Sequence, residues 1–290
     1  MCSSDLRTAT LTQSDGAALS LTTDPPRGGE TRWFVEDVAG WYGGSGVRSE
    51  STAKLGHGTF HSRGYREGRT LTVHGWVECA NADLRDWHER NLSGLMGDGK
   101  WGSLTCFDGV DTLTTRVRLD GSPQIVPLGL RGLQFQVPLV SESAFLYGAE
   151  REITLLPPGS GTGFEFPPFS RDLGKGPIIT FGTEMQETAY IWNDGNAPSS
   201  AVFSVVTATP AGFIVGYGGH RVTYPWPTFK NVPVVVDMAG AVRIGGMDQT
   251  HRVGERGWAA VEPQTIETPF LRFIDGGTGW ATVRNRDTYL

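Results

Sequence analysis

The 290-residue sequence predicts an all-β chain with a single helix, divided into two domains. Three observations lead there. Apolar and polar residues alternate over whole segments of the first half, and eight short strand-like runs repeat at regular spacing in the second. The 40 Gly and 17 Pro are scattered between these runs rather than gathered in one tract, as in turn-rich β proteins.

The clearest strand is Arg69–Cys79. Leu71, Val73, Val77 and Cys79 fall on one face, and Thr72, His74, Trp76 and Glu78 on the other, the mark of a half-buried antiparallel strand. Leu133–Leu139 repeats the alternation, with Leu133, Phe135, Val137 and Leu139 sharing a face and Pro138 expected at an edge. Thr115–Leu119 is a third such run and ends at the turn pair Asp120-Gly121. Between Asn81 and Met96 the period changes: Leu84, Trp87, Leu95 and Met96 recur at helical spacings, with Asn81 or Asp83 able to cap the start and Gly94 to fray the end.

Around residues 148–176 both periods vanish into Pro157-Pro158, Gly159–Gly163 and Phe166-Pro-Pro-Phe169, which is linker composition. The expected division is therefore a first domain over 1–157, a linker over 158–176 and a second domain over 177–290. In the second domain the strand candidates are Ile178–Phe181, Thr188–Trp192, Ala201–Thr207, Phe213–Tyr217, Pro233–Asp237, Val242–Ile244, Phe270–Ile274 and Trp280–Arg284. Their spacing, with no helical period between them, predicts a β-sandwich or jelly roll.

Composition narrows the function. The net charge is −6 and no cluster of Lys or Arg stands ready to neutralise phosphates, so nucleic acid is not the expected partner. No run approaches 18 apolar residues, and Met1-Cys2-Ser3-Ser4-Asp5 lacks the basic and apolar segments of a secretory signal; the expectation is a soluble protein made in a cytoplasm, without membrane insertion. Cys2, Cys79 and Cys106 cannot all pair and show no C-x-x-C spacing, so Cys79 and Cys106 read as small buried apolar residues.

No catalytic, cofactor or metal site is expected. His57 and His61 have the H-x-x-x-H spacing that chelates zinc on a helix, but on a strand residues four apart lie roughly 13 Å apart. Gly43–Gly46 and Gly159–Gly163 do not fit a phosphate loop, and no G-x-S-x-G elbow occurs. Asn193–Asn196 lacks the spacing of a calcium loop and reads as a hairpin turn. The second half is rich in Tyr and Trp, and exposed aromatics on a sandwich are platforms for pyranose rings. Trp226 and Trp258 are the candidate glycan contacts, with core packing as the competing role.

Several segments, taken in order, resemble the distal tail protein (Dit) family of siphophages. Gly40-Trp41-Tyr42-Gly43 is followed by Gly56–Phe60, the strand Arg69–Cys79, the helix from Leu84 to Met96, Lys100–Leu104, Leu133–Leu139 and Ala144–Gly148. Later, Ile191–Pro198 is similar to the family's N-x-G-(D/N) hairpin, Val234–Asp237 with Val242–Ile244 to its paired strands, and Arg256–Trp258 with Glu262-Pro263 to its W-x-x-x-x-P stretch. Two positions depart: Glu142-Ser143-Ala144 replaces the usual D-P, and the G-x-N after Pro263 is missing.

The resemblance implies a split-barrel-like belt domain followed by a galectin-like sandwich, with no enzymatic activity. It implies a homo-hexameric ring in the virion, assembled in the host cytoplasm, that connects the tail tube to the tip hub or baseplate. The partners so implied are the tail tube protein, the tape measure protein and the tip hub or tail-associated protein. Trp41, Tyr42 and Trp76 are the expected ring-interface residues, Trp41 and Tyr42 as exposed or half-exposed anchors of a loop, with local core packing as the competing role. The alternative function is a carbohydrate-binding module or adhesin that recognises host surface glycans.

Overall fold

The computed structural model describes residues 6–26, 28–43, 45–157, 170–172, 175–178 and 189–290. The chain divides into two compact units, Met1–Ala149 with Thr288–Leu290, and Glu150–Asp287.

In the first unit, β1 (Thr8–Thr12), β2 (Ala18–Thr22) and β3 (Thr31–Ala39) precede a segment of four short strands: β4 (Val47–Arg48), β5 (Ser51–Ala53), β6 (Thr59–His61) and β7 (Tyr65–Arg66). Then come β8 (Arg69–Cys79), α1 (Ala82–Ser93), β9 (Gly102–Phe107), β10 (Thr112–Leu119), β11 (Gln124–Leu128), β12 (Gly132–Ser141) and β13 (Leu146–Leu155), whose residues from Glu150 on belong to the second unit. The main sheet runs β11-β12-β8-β3-β2-β1-β9-β10, and β10 pairs back onto β12 through Arg118 opposite Val140 and Leu119 opposite Leu139. That pairing closes seven strands into a barrel, with β11 left as an edge strand outside the ring of pairings.

Alternation sets the barrel's inside. Leu71, Val73, Val77 and Cys79 of β8 are buried together with Leu133, Phe135, Val137 and Leu139 of β12, as their shared faces require. Each fully buried Leu or Val contributes about 1.5–3 kcal/mol relative to exposure. The inward position between Val73 and Val77 belongs to Gly75, where an added Cβ would sit 2.6 Å from the Phe34 carbonyl and 2.7 Å from the Phe135 ring. Phe135 fills the space that the missing side chain leaves. Pro138 does not lie on an edge strand: it falls on interior β12, just beyond the end of β11 opposite Gln136 and before β10 begins to pair at Leu139. Its carbonyl accepts from the Asp120 N–H at 3.0 Å, and the missing N–H leaves out the reciprocal bond where the β10 pairing ends.

The helix starts where expected, with the Asn81 side chain accepting from the Leu84 N–H at 2.8 Å. It ends at Ser93, three residues short of Met96, and Leu95 and Met96 are buried beyond it. Trp87 is exposed rather than inward. His88 takes the inward place, its Nε2 3.0 Å from the Thr31 hydroxyl and its ring edge-on to Trp33 and Trp87.

In the second unit the strands are β14 (Ser170–Asp172), β15 (Lys175–Ile178), β16 (Ile191–Asn193), β17 (Val202–Ala208), β18 (Phe213–Tyr217), β19 (His220–Tyr224), β20 (Val234–Asp237), β21 (Ala241–Ile244), β22 (Met247–Asp248), β23 (Glu255–Arg256), β24 (Thr265–Glu267), β25 (Phe270–Phe273) and β26 (Thr278–Tyr289). One sheet runs β26-β17-β20-β21-β22 and a second β23-β19-β18-β25. Both feed one core: Phe203, Val236 and Val283 of the first sheet are buried in the same cluster as Phe213, Tyr217 and Leu271 of the second. Phe203 stacks on Tyr217 across the two sheets at 6.3 Å, so the unit is a sandwich.

Gly159–Gly163 and Phe166–Phe169 lie outside the described residues. Within the expected linker, β14 and β15 pair with each other. The expected strand Ile178–Phe181 keeps only Ile178 among the described residues, as the end of β15. Asn193–Asn196 forms a turn but not a hairpin, because β16 pairs with β24 rather than with the strand that follows. The buried Asn193 side chain organises it, donating to the carbonyls of Ala197 (2.7 Å) and Val261 (3.0 Å) and accepting from the Gly195 N–H.

Candidate functional site

Two surfaces of the first unit stand out. The first is a hairpin arm that leaves β3 at Ala39 and returns at Arg69. Its stem pairs β4 with β7 and its outer part pairs β5 with β6, with Lys54–Gly58 at the tip. Every residue from Gly46 to Gly68 is exposed, including Val47, Leu55, Phe60 and Tyr65. His57 lies in the tip turn and His61 on β6, both exposed, and among the described residues no three His, Cys, Asp or Glu side chains converge as a metal set would.

The root of the arm is fixed from inside. Arg69 is fully buried, and its guanidinium donates to the carbonyls of Ala144 (2.8 Å), Gly40 (3.3 Å) and Trp41 (2.5 Å). No carboxylate pairs with it among the described residues, and burial, aided by nearby Arg66, lowers its pKa. Gly40 makes the turn with φ +82°, and an added Cβ would meet the Thr70 carbonyl at 2.3 Å.

These contacts decide between the two roles open to Trp41. Trp41 is 1% exposed and belongs to the barrel core, so it anchors the arm inwardly instead of presenting a ring to a neighbour. The turn at Gly40 sends it back under the sheet. Tyr42 is 48% exposed, and its hydroxyl donates to Asp108 at 2.7 Å. Burial and that carboxylate push the Tyr42 phenol up, well above the usual tyrosine range. Burial also pushes Asp108 up, but hydrogen bonds from Tyr42 and from the backbone of Asp111 and Val110 outweigh it and hold the carboxylate ionised below its ordinary range.

The second surface is the outward face of β3, β8, β12 and β11. Register places Phe34, Trp76, Gln134 and Val126 in one row, and Arg32, Glu78, Gly132 and Leu128 in the next. Trp76 is 37% exposed and stacks on Phe34 with ring centroids 3.7 Å apart and planes 4° from parallel. Arg32 covers the Phe34 ring at 5.0 Å and bridges to Glu78 at 2.9 Å. Val126 and Leu128 are half-exposed beside this stack. Trp76 thus lies on an aromatic and aliphatic patch, six residues or roughly 20 Å along β8 from the arm root at Thr70, and the structure does not bring it together with Trp41 and Tyr42.

In the second unit the two candidate glycan residues differ. Trp258 is half-buried against the sandwich core. Trp226 is 45% exposed, its Nε1 donates to the Arg252 carbonyl at 2.9 Å, and the Arg252 guanidinium lies 4.9 Å from its ring and 5.8 Å from that of Tyr224. Beside them opens a cleft of about 360 Å³ lined by Tyr224, Pro227, Phe229, Val232, Ile244 and Arg252.

No family model and no curated protein matches the chain. Solved structures do. The SPP1 Dit (gp 19.1) protein, described as a paradigm of the hub adsorption apparatus in Gram-positive-infecting phages, aligns over 97% of this chain and 99% of its own, at 16% identity and a TM-score of 0.59. This chain has the fold of that phage protein. Chains of the phage P2 baseplate in its activated conformation, one with Ca and one with Sr, align over 97% of this chain and 98% of theirs, at 8% identity and TM-scores of 0.44 and 0.43.

Sequence reading missed both the arm and Arg69. The one available signal was the charge of residues 46–68, where Arg48, Lys54, Arg63 and Arg66 outnumber Glu50 and Glu67 within an acidic chain.

Proposed function

We propose that this chain is a non-enzymatic structural component of a phage tail tip, forming a homo-hexameric ring that connects the tail tube to the tip hub or baseplate. The observation that carries the reading is the end-to-end fold likeness to SPP1 Dit, which spans both units rather than one. The barrel unit acts as the ring-forming belt and the sandwich as the galectin-like domain that follows it. The neighbours are the tail tube, tape measure and tip hub proteins, and the location is the virion, after assembly in the host cytoplasm. No helix among the described residues is long and apolar enough to cross a membrane. Negative-stain imaging with mass photometry tests the reading: six-fold rings are expected, and a species that stays monomeric at every concentration, even with tail partners present, refutes it.

A second reading rests on Trp226, which is exposed beside an apolar cleft bordered by Arg252. It is a glycan contact by which the same component, or a free adhesin, engages host surface sugars. Specific binding on a glycan array that is lost in Trp226→Ala, with folding intact, is the expected result. No binding by the parent protein rejects it.

A further inference from the structure

We infer that the β4–β7 hairpin arm of one copy docks on the outward β3-β8-β12-β11 face of the next copy. The inference rests on the ring reading and names the contact that would hold the ring.

The arm is built for a partner outside its own fold. A two-stranded hairpin with no core behind it is marginal in water, yet this one exposes all of residues 46–68. Its apolar side chains Val47, Leu55, Phe60 and Tyr65 stand exposed to solvent. Its local contacts are cation–π pairs, Lys54 over Phe60 at 4.8 Å and Arg63 over Tyr65 at 5.9 Å, which leave both cations open to a carboxylate.

Charge selects the occupant. Four cations against two carboxylates give the arm a net charge of +2 in a chain of −6. The outward face has the opposite sign: Glu36 at the β3 bulge, Asp37 opposite His74, and Glu78 stand against the single cation Arg32. The face carries the stacked Phe34 and Trp76 on β3 and β8, and Val126 and Leu128 on the edge strand β11 beyond Gln134 and Gly132. Arm and face are thus each apolar with a charged rim, and the rims are of opposite sign.

The edge of the sheet indicates how they meet. β11 is an edge strand, but Pro127 within it lacks an N–H, so strand addition along that edge is interrupted and side chains on the face make the contact. Because arm and face are different surfaces of one chain, the contact is head-to-tail, the type that closes into a ring when its rotation permits.

Paired cysteines in the full-length chain, in a Cys2→Ser background, test this. Phe60→Cys combined with Val126→Cys, treated with a short bismaleimide, is expected to give a ladder of covalent oligomers on a denaturing gel, while each single variant gives at most a dimer. No ladder from a folded double variant overturns the inference, as does an equal ladder from either single variant. A second test reverses charge. The triple variant Lys54→Glu, Arg63→Glu, Arg66→Glu is expected to weaken self-association at least tenfold, and adding Glu36→Arg with Asp37→Arg to restore it. Rings that form normally from the triple variant overturn the docking and leave the ring standing. A parent protein that is monomeric at every concentration and gives no ladder overturns both.

Discussion

The Arg69 guanidinium donates to the Trp41 carbonyl at 2.5 Å, tying the strand that leaves the arm to the tryptophan that enters it. The same side chain also reaches Gly40 and Ala144, so three carbonyls from two distant segments share one buried cation. Replacing Arg69 with Met removes the donors while keeping the bulk, and the carbonyls are left without partners. We expect a loss of about 3 kcal/mol in chemical denaturation, with faster amide exchange at Gly40–Tyr42. Arg69→Lys should recover less than half, because an ammonium lacks the planar fork that spans the three acceptors.

Gly75 should tolerate no side chain. Gly75→Ala places a methyl against the Phe34 carbonyl and the Phe135 ring, and overpacking of this kind costs about 1–3 kcal/mol. Gly56→Ala in the arm tip meets nothing within 4 Å and should change stability by no more than about 0.5 kcal/mol. Thermal melts of the two variants check the contrast.

His88 and Asp287 both contribute to the acid side of the stability profile. Burial lowers the His88 pKa, so the folded state favours the neutral ring. Its contribution is complete above the ordinary histidine pKa of about 6.5 and is lost as pH falls below it toward the folded value. For Asp287, burial raises the pKa, but the paired bonds from Arg151, both 2.7 Å, and the N–H of Asp194 prevail, and the net shift is downward. That contribution is complete above about pH 3.9 and is lost below it as pH falls through the folded pKa. His88→Gln should flatten the upper step and Asp287→Asn shrink the lower one, read by tryptophan fluorescence across a pH series. A step that survives its own variant unchanged refutes its assignment.

Neither Cys79 nor Cys106 should react with a maleimide in the native protein. Both are buried, and burial raises both thiol pKa values, so thiolate is scarce and access is closed. Mass spectrometry of labelled peptides should show modification of both only after unfolding in urea.

The faces of β8 and β12 were legible because a period of two, repeated over seven or more residues, has one buried solution. The helix start was legible because Asn81 is a local cap. Barrel closure was not, since it rests on only two residue pairs between β10 and β12, which no local pattern marks. The arm left no periodic trace, only its charge, because a hairpin that buries nothing has no apolar period. Trp41 misled because Gly-Trp-Tyr-Gly has loop composition, and only the distant Arg69 and the left-handed turn at Gly40 direct it inward. In the sandwich, β22, β23 and β24 are two or three residues long, too short for alternation to register.

The claim on which the rest depends is that this chain assembles. Mass photometry of the full-length protein across a concentration series, with the same samples imaged in negative stain, tests it most directly. The account predicts a species of six times 31.4 kDa, about 190 kDa, that appears in the images as six-fold rings. A single 31.4 kDa species at every concentration, unchanged when tail tube and hub proteins are added, would contradict it.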